Sequence, residues 1–540
     1  MEAFVNRHAG AVIGVLSGFD RLVFRGTLRV LAHHLGMRAY LWAAQMLLKD
    51  FASHAEAMTR DLREASEELA RRTGRPIRFL PSSATNKEAI ARAIARQDGI
   101  EQGLICIITA VEPCLSYDIV RDRRNQRLQL LPRHRKCLYL YHYQMHPLFG
   151  FMHARIQTWF PFAIQICLNG REWLARAHAL GPSSRGMDAA GSAYVRRDNC
   201  FTWLQDPAQA QRLMNRQVQA AWPDLLNGIA RSLNPRHTAM FRAFPVNYYW
   251  STYQSEWATD ILFRTSASLA RLYPRLVQHG LTTFLSPDVM RFLGRNIPPS
   301  GTLSPRLQAE VISDVKRRPE GVRIKHRLGE NSIKMYDKPC PRALDPGEGS
   351  VLRVETTIND AAGFKTYRTP EAKPGAPLGW HCMRKGIADL HRRTEVSQAA
   401  NNRYLQALAS VENTTSLGQL TARLCRPTKR NGRRVRALNP HAPADAALLE
   451  AISRGEFAIN GFRNRDLRRL LFTNTEASKP EQRRQAAAVS RKLVLLRAHH
   501  LIRKVPNTHR YHLTDAGRIA VTALITASRV STQQLNQLAA

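Results

Sequence analysis

The spacing of apolar residues changes several times over the first 130 positions, and each change predicts a different element. An apolar run after residue 11 predicts a strand. The stretch 39–72 keeps apolar residues three or four apart without glycine or proline, which predicts a long helix. The segments RPIRFL, NKEAIARAIARQ and GLICIITAV then have the patterns of a strand, a helix capped by Asn86, and a buried strand. This order predicts an N-terminal α/β domain over residues 1–130.

Residues 131–375 show more of the alternation that is typical of strands. The runs KCLYLYHYQ, GFMHARIQTWF and FAIQICLNG are separated by short turn segments, which predicts an antiparallel meander. Helical spacing returns over about residues 205–295, and GVRIKHRLGENSIKMYDK and SVLRVETTIN then predict further strands. We therefore expect a central α+β domain with antiparallel strands over these residues.

A helical segment and a basic stretch connect this region to the C-terminal part of the chain. We expect residues 376–440 to form a helical linker and a basic arm, because RPTKRNGRRVR carries six basic residues and no acidic one. Three helical segments follow, then two short basic strands around a PNT turn, and then a last helix that begins at Thr514.

Three helices followed by a two-stranded hairpin form the order of a winged helix-turn-helix. In that arrangement the third helix enters the major groove and the hairpin lies against the flanking backbone. The segment LTDAGR after the hairpin resembles the L-T-x-x-G-R signature of MarR-type and related winged-helix regulators. The expected fold class is therefore multidomain α+β: an N-terminal α/β region, a central antiparallel sheet and a winged helix over residues 441–540.

The charge balance points to a polyanionic partner. The chain has 80 Lys and Arg against 42 Asp and Glu, a formal net charge of +38, and such self-repulsion adds nothing to the stability of a compact protein. Nucleic acid and an anionic membrane surface are the usual partners of basic proteins. We expect no membrane span, because no segment reaches the roughly 18 apolar residues that one needs.

The first residues and the cysteines bear on the compartment. The N-terminal apolar run leads on without a cleavage signal, so we expect no signal peptide. The eight cysteines stand alone, without C-x-x-C pairs, which is typical of reduced thiols. We therefore expect a cytoplasmic protein.

Basic side chains in three segments are the predicted nucleic-acid contacts. The basic arm and the hairpin would lie on phosphates, and the third helix would reach base edges. From Arg483 through Lys504 there are seven Lys and Arg and no acidic residue, which favours DNA over a protein partner. The predicted contacts are Arg430, Arg433, Arg434 and Arg436 in the arm, Arg483, Arg484, Gln485, Arg491 and Lys492 in the third helix, and Arg503, Lys504 and Arg510 in the hairpin.

A second distinctive stretch is NSIKMYDK, followed after a loop by LRVETTIN. Strand alternation places Lys334, Tyr336 and Lys338 on one face, and Arg353 and Glu355 on one face of the likely partner strand. The pattern K-x-Y-D-K…L-R-x-E resembles one in the replication initiators of filamentous phages and related plasmids, which nick DNA with a tyrosine.

That resemblance implies roles for the same residues. Tyr336 would attack a phosphodiester, Lys334 or Lys338 would steady the developing charge, and Glu355 would hold Arg353. A divalent cation, Mg²⁺ or Mn²⁺, would be needed only for such catalysis. The alternative is a structural ion pair beside a buried tyrosine.

The metal ligands themselves stay open. The initiators carry a His-hydrophobic-His motif that this sequence only approximates, so His153 and Gln157 are the candidates from that side. A second option is a two-metal nuclease site. It would gather the carboxylates Asp20, Glu112, and either Asp314 or Glu355.

The aromatic residues of the meander provide an alternative partner, RNA. Tyr139, Tyr141, Tyr143 and Trp159 could stack unpaired bases on the sheet. Segments such as FDRLVFRGTL and TWFPFAIQICLNGREWLAR give the chain a resemblance to a family of uncharacterised bacterial proteins with a winged-helix tail, which implies no activity.

Taken together, the sequence predicts a nucleic-acid-binding protein of a bacterial mobile element or its host. The C-terminal module would bind DNA, and the central sheet would process it in the manner of a replication initiator. A non-catalytic transcriptional regulator and an RNA-binding protein are the alternatives. The oligomeric state stays open.

Overall fold

The fold is that of a computed structural model of the 540-residue chain. The structure describes residues 1–122, 124–125, 127–177, 185–187, 193–197, 199–295, 310–318, 321–338, 349–370, 375–409, 417–430, 432–454, 457, 461–472, 478–506, 508–529 and 531.

Strands and helices alternate irregularly along the chain. The strands are β1 (Val12–Thr27), β2 (Ile77–Leu80), β3 (Gly103–Asp122), β4 (Arg127–His146), β5 (Gly150–Gln157), β6 (Ile164–Asn169), β7 (Arg185–Met187), β8 (Ala193–Arg197), β9 (Cys200–Leu204), β10 (Tyr249–Phe263), β11 (Val311–Arg318), β12 (Gly321–Leu328), β13 (Asn331–Lys338), β14 (Ser350–Ile358), β15 (Lys365–Arg368), β16 (Gly379–Cys382), β17 (Thr428–Arg430), β18 (Arg433–Val435), β19 (Ile502–Lys504) and β20 (Tyr511–Leu513). The helices are α1 (Glu2–Arg7), α2 (His34–Ala43), α3 (Phe51–Thr73), α4 (Lys87–Gln97), α5 (Gly170–Ala177), α6 (Pro207–Val218), α7 (Trp222–Leu233), α8 (His237–Met240), α9 (Ser266–Thr282), α10 (Ser286–Phe292), α11 (Leu390–Leu408), α12 (Leu417–Leu424), α13 (Pro443–Ser453), α14 (Asn464–Leu471), α15 (Lys479–Ala498) and α16 (Asp515–Arg529).

One large mixed sheet organises the first 360 residues. Its strand order is β11-β12-β13-β14-β10-β1-β6-β5-β4-β3-β2. Neighbours run antiparallel except β2 and β3, which are parallel and joined by α4. The side chain of Asn86 caps α4 by accepting a hydrogen bond from the Ala89 amide at 3.1 Å. The long strand β1 lies in the middle, paired with β10 on one side and β6 on the other.

This sheet crosses the domain boundary that the sequence predicted at residue 130. That position lies inside β4, which pairs with β3 from Met145 opposite Gly103 to Arg127 opposite Asp122. Residues 1–130 and 131–375 therefore share one sheet and do not form separate sheets. Alternation along the chain identified the strands, but it carries no information about which distant strand each one pairs with.

One face of the sheet is apolar and covered by helices. On the β10–β14 half, α1, α9, α10 and α11 pack over strand residues such as Ile261, Leu352 and Val354. On the other half, α2, α3 and α7 pack over residues such as Phe24 and Ile166. This face holds most of the hydrophobic core.

The opposite face is covered only in parts. Helices α5 and α6, with β9, bury Leu16, Leu262 and Val351, and α4 packs near Ile108 and Tyr143. Between these two covers the strand residues on this face are largely polar, and the candidate site lies there.

The C-terminal elements α12–α16, with hairpins β17–β18 and β19–β20, form a unit with its own core. The buried members of that core run from Leu424 to Leu524. The predicted linker over residues 376–440 is divided, because α11 packs on the large sheet through Tyr404 and Leu405, whereas β17 contacts α15. The predicted basic arm is therefore an ordered hairpin of the C-terminal unit.

The described helices and cysteines bear on two expectations, that the chain has no membrane span and that its thiols are reduced. None of the helices in these ranges is long and apolar enough to cross a membrane. The described cysteines are free thiols, including the neighbouring Cys114 and Cys137 on β3 and β4.

Candidate functional site

The polar face carries charged side chains where β13, β14, β10 and β1 meet. On β13 and β14, Lys334 lies opposite Glu355 and Tyr336 lies opposite Arg353. On the next strand Asp260 lies opposite Arg353. Paired residues point to the same face of a sheet, so these groups become neighbours. We call the following residues the polar cluster: Asp20, Glu256, Asp260, Lys334, Tyr336, Arg353 and Glu355.

Arg353 is fully buried and is the centre of an ion network. Its Nε and Nη2 donate to the carboxylate of Asp260 at 2.6 and 2.9 Å, and its Nη1 donates to Asp20 Oδ1 at 3.1 Å. Asp260 also accepts from Nη2 of the buried Arg171 at 2.9 Å. A buried charge is tolerated only when it is paired and hydrogen-bonded, and here two arginines face two carboxylates.

Glu355 lies beside this network and contacts two residues of β13. Lys334 Nζ lies 2.5 Å from Glu355 Oε1, and the Tyr336 hydroxyl donates to Glu355 Oε2 at 2.9 Å. Burial alone would raise the pKa of Glu355, but the charge and hydrogen bond of Lys334, with Arg353 and Tyr336, lower that pKa to about 2. Glu355 is therefore a carboxylate throughout the physiological range.

The same geometry bears on the predicted nucleophile. Burial, and then the negative charge of Glu355, raise the pKa of Tyr336 well above its ordinary value. A tyrosine attacks as the phenolate or while transferring its proton to a base, and a carboxylate with the low pKa of Glu355 is a weak base. Lys338 donates to Asn199 Oδ1 at 3.2 Å.

Three carboxylates converge at the edge of the cluster. Oxygen atoms of Asp20, Glu256 and Glu355 all lie within 4.8 Å of one another. Burial, with the charge of Glu355, raises the pKa of Glu256 to about 7, and burial also raises the pKa of Asp20. Carboxylate oxygens are the ligands that Mg²⁺ and Mn²⁺ prefer, so these three residues are the ones that could hold such a cation.

Glu256 was not among the predicted site residues, although its spacing from a second carboxylate is visible in the sequence. The segment SEWATDILF places Glu256 and Asp260 four residues apart, on the same face of a strand. The alternative carboxylates lie elsewhere: Glu112 pairs with Lys87 and Arg155. Asp314 lies beside two basic residues of β11 and β12, Lys316 and Arg327.

His153 and Gln157, the other predicted metal ligands, share a face of β5 but contact different partners. The amide of Gln157 donates to the backbone oxygens of Trp159 and Phe160 at 3.0 and 2.9 Å. The His153 ring lies tilted against the Tyr143 ring, with centroids 4.9 Å apart, and burial lowers the pKa of His153 to about 4.

The aromatic residues of the meander do not form a surface. Tyr139, Tyr141 and Tyr143 are buried in the core under α4, and Trp159 packs against that core. The prediction that unpaired bases stack on the meander is therefore wrong, because these rings face a helix and not solvent.

Most of the predicted DNA contacts lie on the surface of the C-terminal unit. Gln485 is an exception, since it is buried. Arg436 makes two hydrogen bonds of 2.7 Å with the buried Asp445, which assigns it a structural role. Lys492 donates to the backbone of Ala444 at 3.1 Å. The exposed members are Arg433, Arg434, Arg436, Arg483, Arg484, Arg491, Arg503 and Lys504, whereas Arg430, Lys492 and Arg510 are partly buried.

Comparison of the chain with protein families, with curated proteins and with solved structures finds no match.

Proposed function

We propose that this chain is a DNA-binding protein whose C-terminal unit is a winged helix that holds duplex DNA. The observation that carries the proposal is the exposed cationic surface of α15 and of the hairpin that follows it. Arg483, Arg484 and Arg491 project from α15, and Arg503 and Lys504 from β19. A polyanion is the partner that such a surface fits.

The order and packing of the elements support the same interpretation. Helix α14 packs on α15, and the Asn464 side chain on α14 donates to Ala486 O and Ser490 Oγ, both at 2.9 Å. The hairpin β19–β20 follows α15 directly and corresponds to a wing. The second hairpin contacts α15 through β17 and adds the exposed Arg433 and Arg434 on β18.

The test is duplex binding by the full chain at several salt concentrations. We expect strong salt dependence, and we expect the double substitution Arg483→Gln and Arg491→Gln to lower the slope of log affinity against log salt by about 0.9 for each phosphate that the variant no longer neutralises. The matched control is the pair Arg60→Gln and Arg72→Gln, because these arginines are exposed on α3 of the sheet body.

Three results bear against the proposal. A chain that ignores duplex DNA at low salt would refute it, and so would an unchanged salt slope in the α15 variant. Tighter binding of a matched RNA hairpin would favour the RNA-binding alternative.

A second candidate activity, phosphodiester cleavage, is favoured by the convergence of Asp20, Glu256 and Glu355 next to Lys334. A divalent cation bound there would polarise a phosphate, and Lys334 would neutralise developing charge. Without such an activity the same cluster is a structural ion network and the chain is a non-catalytic regulator.

Supercoiled plasmid with Mg²⁺ or Mn²⁺ separates these two interpretations. Glu256→Gln should abolish nicking if the carboxylates hold the cation, while Tyr336→Phe should abolish nicking and a covalent adduct only if the tyrosine is the nucleophile. Glu395→Gln, an exposed carboxylate on α11, is the control. Intact plasmid with wild-type protein, on DNA that it binds, would leave the regulator as the function.

A further inference from the structure

The hairpin β15–β16 presents two large aromatic rings to solvent. Tyr367 and Trp380 lie opposite each other in the register, with ring centroids 5.4 Å apart. Their exposed fractions are 56% and 59%, whereas Thr366 between them and the core is buried. The pair therefore stands on the outer face of the hairpin.

The hairpin is held to the sheet body by other groups. Phe364 and Met383 belong to a small buried cluster with Ile358, and the Met383 amide donates to the Phe364 carbonyl at 2.8 Å. Arg392 of α11 donates from Nε to the Lys365 carbonyl at 2.9 Å. These contacts fix the base of the hairpin, so the two outer rings are not needed to attach it.

One cationic side chain lies beside the rings, and others are carried by the same hairpin and the segment that follows it. The guanidinium of Arg392 lies 5.6 Å from the Trp380 ring, and Lys365 is exposed on the same hairpin. The segment after β16 adds the exposed Arg384 and Lys385, and Lys385 Nζ lies 5.9 Å from the ring of Tyr253, which is itself exposed.

The acidic side chains that the structure describes near the hairpin, Glu395 and Asp389, are already paired. Glu395 accepts from Arg392 at 2.6 Å. Asp389 is buried, accepts from the Arg384 amide at 2.8 Å and lies 3.7 Å from Arg368. Among the described residues, the surroundings of the rings are therefore net positive.

We propose that Tyr367 and Trp380 form a stacking platform for the unpaired bases of single-stranded DNA, with Lys365, Arg384 and Lys385 on its phosphates. Exposed aromatic faces among cations are the combination that binds single strands with little sequence preference. Paired bases of a duplex do not offer their faces to such rings. The choice of DNA over RNA rests on the proposed function, whereas the stacking itself is independent of the C-terminal unit.

The experiment compares two labelled strands with the full chain by fluorescence anisotropy. One is a dT oligonucleotide, and the other has the same length and phosphates but lacks its bases. We expect the dT strand to bind more tightly, and we expect Trp380→Ala to weaken dT binding by roughly 5- to 150-fold for each base that no longer stacks, with no effect on the abasic strand. Tyr367→Ala should act in the same direction.

Matched variants separate stacking from folding. Trp42→Ala is the control, because Trp42 on α2 is 84% exposed without belonging to this hairpin. It should leave dT binding unchanged. Trp380→Phe keeps an aromatic face and should retain most of the affinity, which a role in hairpin stability alone would not predict.

Several outcomes would overturn the platform. They are equal binding of dT and abasic strands, dT binding that is unaffected by Trp380→Ala, and an equal loss in Trp42→Ala. Tighter binding of an rU strand than of dT would overturn the assignment to DNA. The Arg483→Gln and Arg491→Gln variant should keep the Trp380-dependent difference, so a failure of duplex binding is distinguishable from a failure of the platform.

Discussion

At the scale of single residues, the polar cluster combines two kinds of carboxylate. Asp260 lies in a fully buried network with Arg353 and Arg171, where every charge has a partner. Glu256 lies at the margin of that network, where burial and the charge of Glu355 disfavour its ionised form. The first kind contributes to the fold, and the second kind is available to a proton or a cation.

Removing the guanidinium of Arg353 should strongly destabilise the folded protein. Arg353→Met leaves Asp260 and Asp20 with less compensation in a buried site, so we expect a loss of about 3–5 kcal/mol in the free energy of unfolding. Urea denaturation followed by circular dichroism measures it. Arg72→Met, on the exposed side of α3, should stay within about 0.5 kcal/mol of the wild type. A small loss in Arg353→Met would mean that water or other cations replace the guanidinium.

Glu256 gives the stability a pH dependence of known sign. Its pKa is about 7 in the folded protein against 4.5 for the ordinary group, so between these values the folded state holds a proton that the unfolded state has released. The stability that this proton provides is therefore fully present below about pH 4.5. As the pH rises from there to about 7, the free energy of unfolding falls by up to about 1.4 kcal/mol per pH unit.

The variant Glu256→Gln should lack this loss. Relative to the wild type, it should gain stability between pH 5 and pH 8, measured as the difference in unfolding free energy at each pH. Added Mg²⁺ should stabilise the wild type above pH 7 more than the variant if the carboxylates bind the cation. A constant difference across the pH range would contradict the raised pKa.

The residues of the site were predictable to different degrees. Alternation alone placed Lys334 beside Tyr336 and Arg353 beside Glu355, because neighbours on one strand face follow from the sequence. It could not reveal that Asp20 and Asp260 meet Arg353, since pairing across hundreds of residues is decided by the sheet as a whole. Glu112 and Asp314 were predicted to share a metal site with Asp20 for the same reason, because the sequence does not show which strands pair.

At the scale of elements, the local sequence patterns predicted where helices and strands lie better than they predicted what each one packs against. The strands β2 and β3 and the helix α4 lie where alternation and the Asn86 cap predicted them. The meander β4–β6 is present as well, but its aromatic face lies under α4. The hairpin β15–β16 was missed, because its short strands flank a stretch rich in proline and glycine.

The glycine of the LTDAGR segment has a steric role between two elements. Gly517 in α16 lies so close to the backbone of Leu501 that a methyl group there would overlap the Leu501 carbonyl. The Thr514 hydroxyl meanwhile donates to His500 O at 2.6 Å and accepts from the Gly517 amide at 2.9 Å. This segment therefore fixes α16 against the end of α15.

Gly517→Ala should loosen that junction. We expect a loss of about 1–3 kcal/mol in the stability of the C-terminal unit, as for other overpacked sites, and a matching loss of duplex affinity. Hydrogen exchange resolved by segment would locate the effect in α15 and α16. Gly228→Ala in α7 is the control, because a methyl group there meets nothing within 4 Å. Equal effects of the two substitutions would contradict the steric role.

At the scale of the whole molecule, the hydrophobic clusters of the sheet body and those of the C-terminal unit come from separate stretches of the described chain. The sheet body takes its buried residues from Phe4 to Ala409, whereas the C-terminal unit takes its own from Leu424 to Leu524. Each unit therefore contains the groups that it needs to bury its own apolar surface.

We expect residues 417–540, expressed alone, to fold with a cooperative thermal transition and to retain the salt-dependent duplex binding of the full chain. Circular dichroism and anisotropy check the two parts of this prediction. An unfolded fragment would show that the sheet body stabilises the C-terminal unit. A folded fragment without affinity would place the duplex contacts in the body.

The central position of β1 has a consequence for synthesis on the ribosome. Asp20 is made early, but Arg353 follows about 330 residues later, which at roughly 5–20 residues per second takes on the order of 20–60 seconds. For about the first 230 of those residues, until β10 (Tyr249–Phe263) has been made, the edge of β1 that pairs with β10 is open, and the nascent chain presents an apolar strand without its neighbour. Asp20 and Asp260 then lack the guanidinium of Arg353 until β14 follows. We therefore expect chains that stall before residue 350 to be held by chaperones or degraded, while completed chains bury Asp20 and Arg353 together.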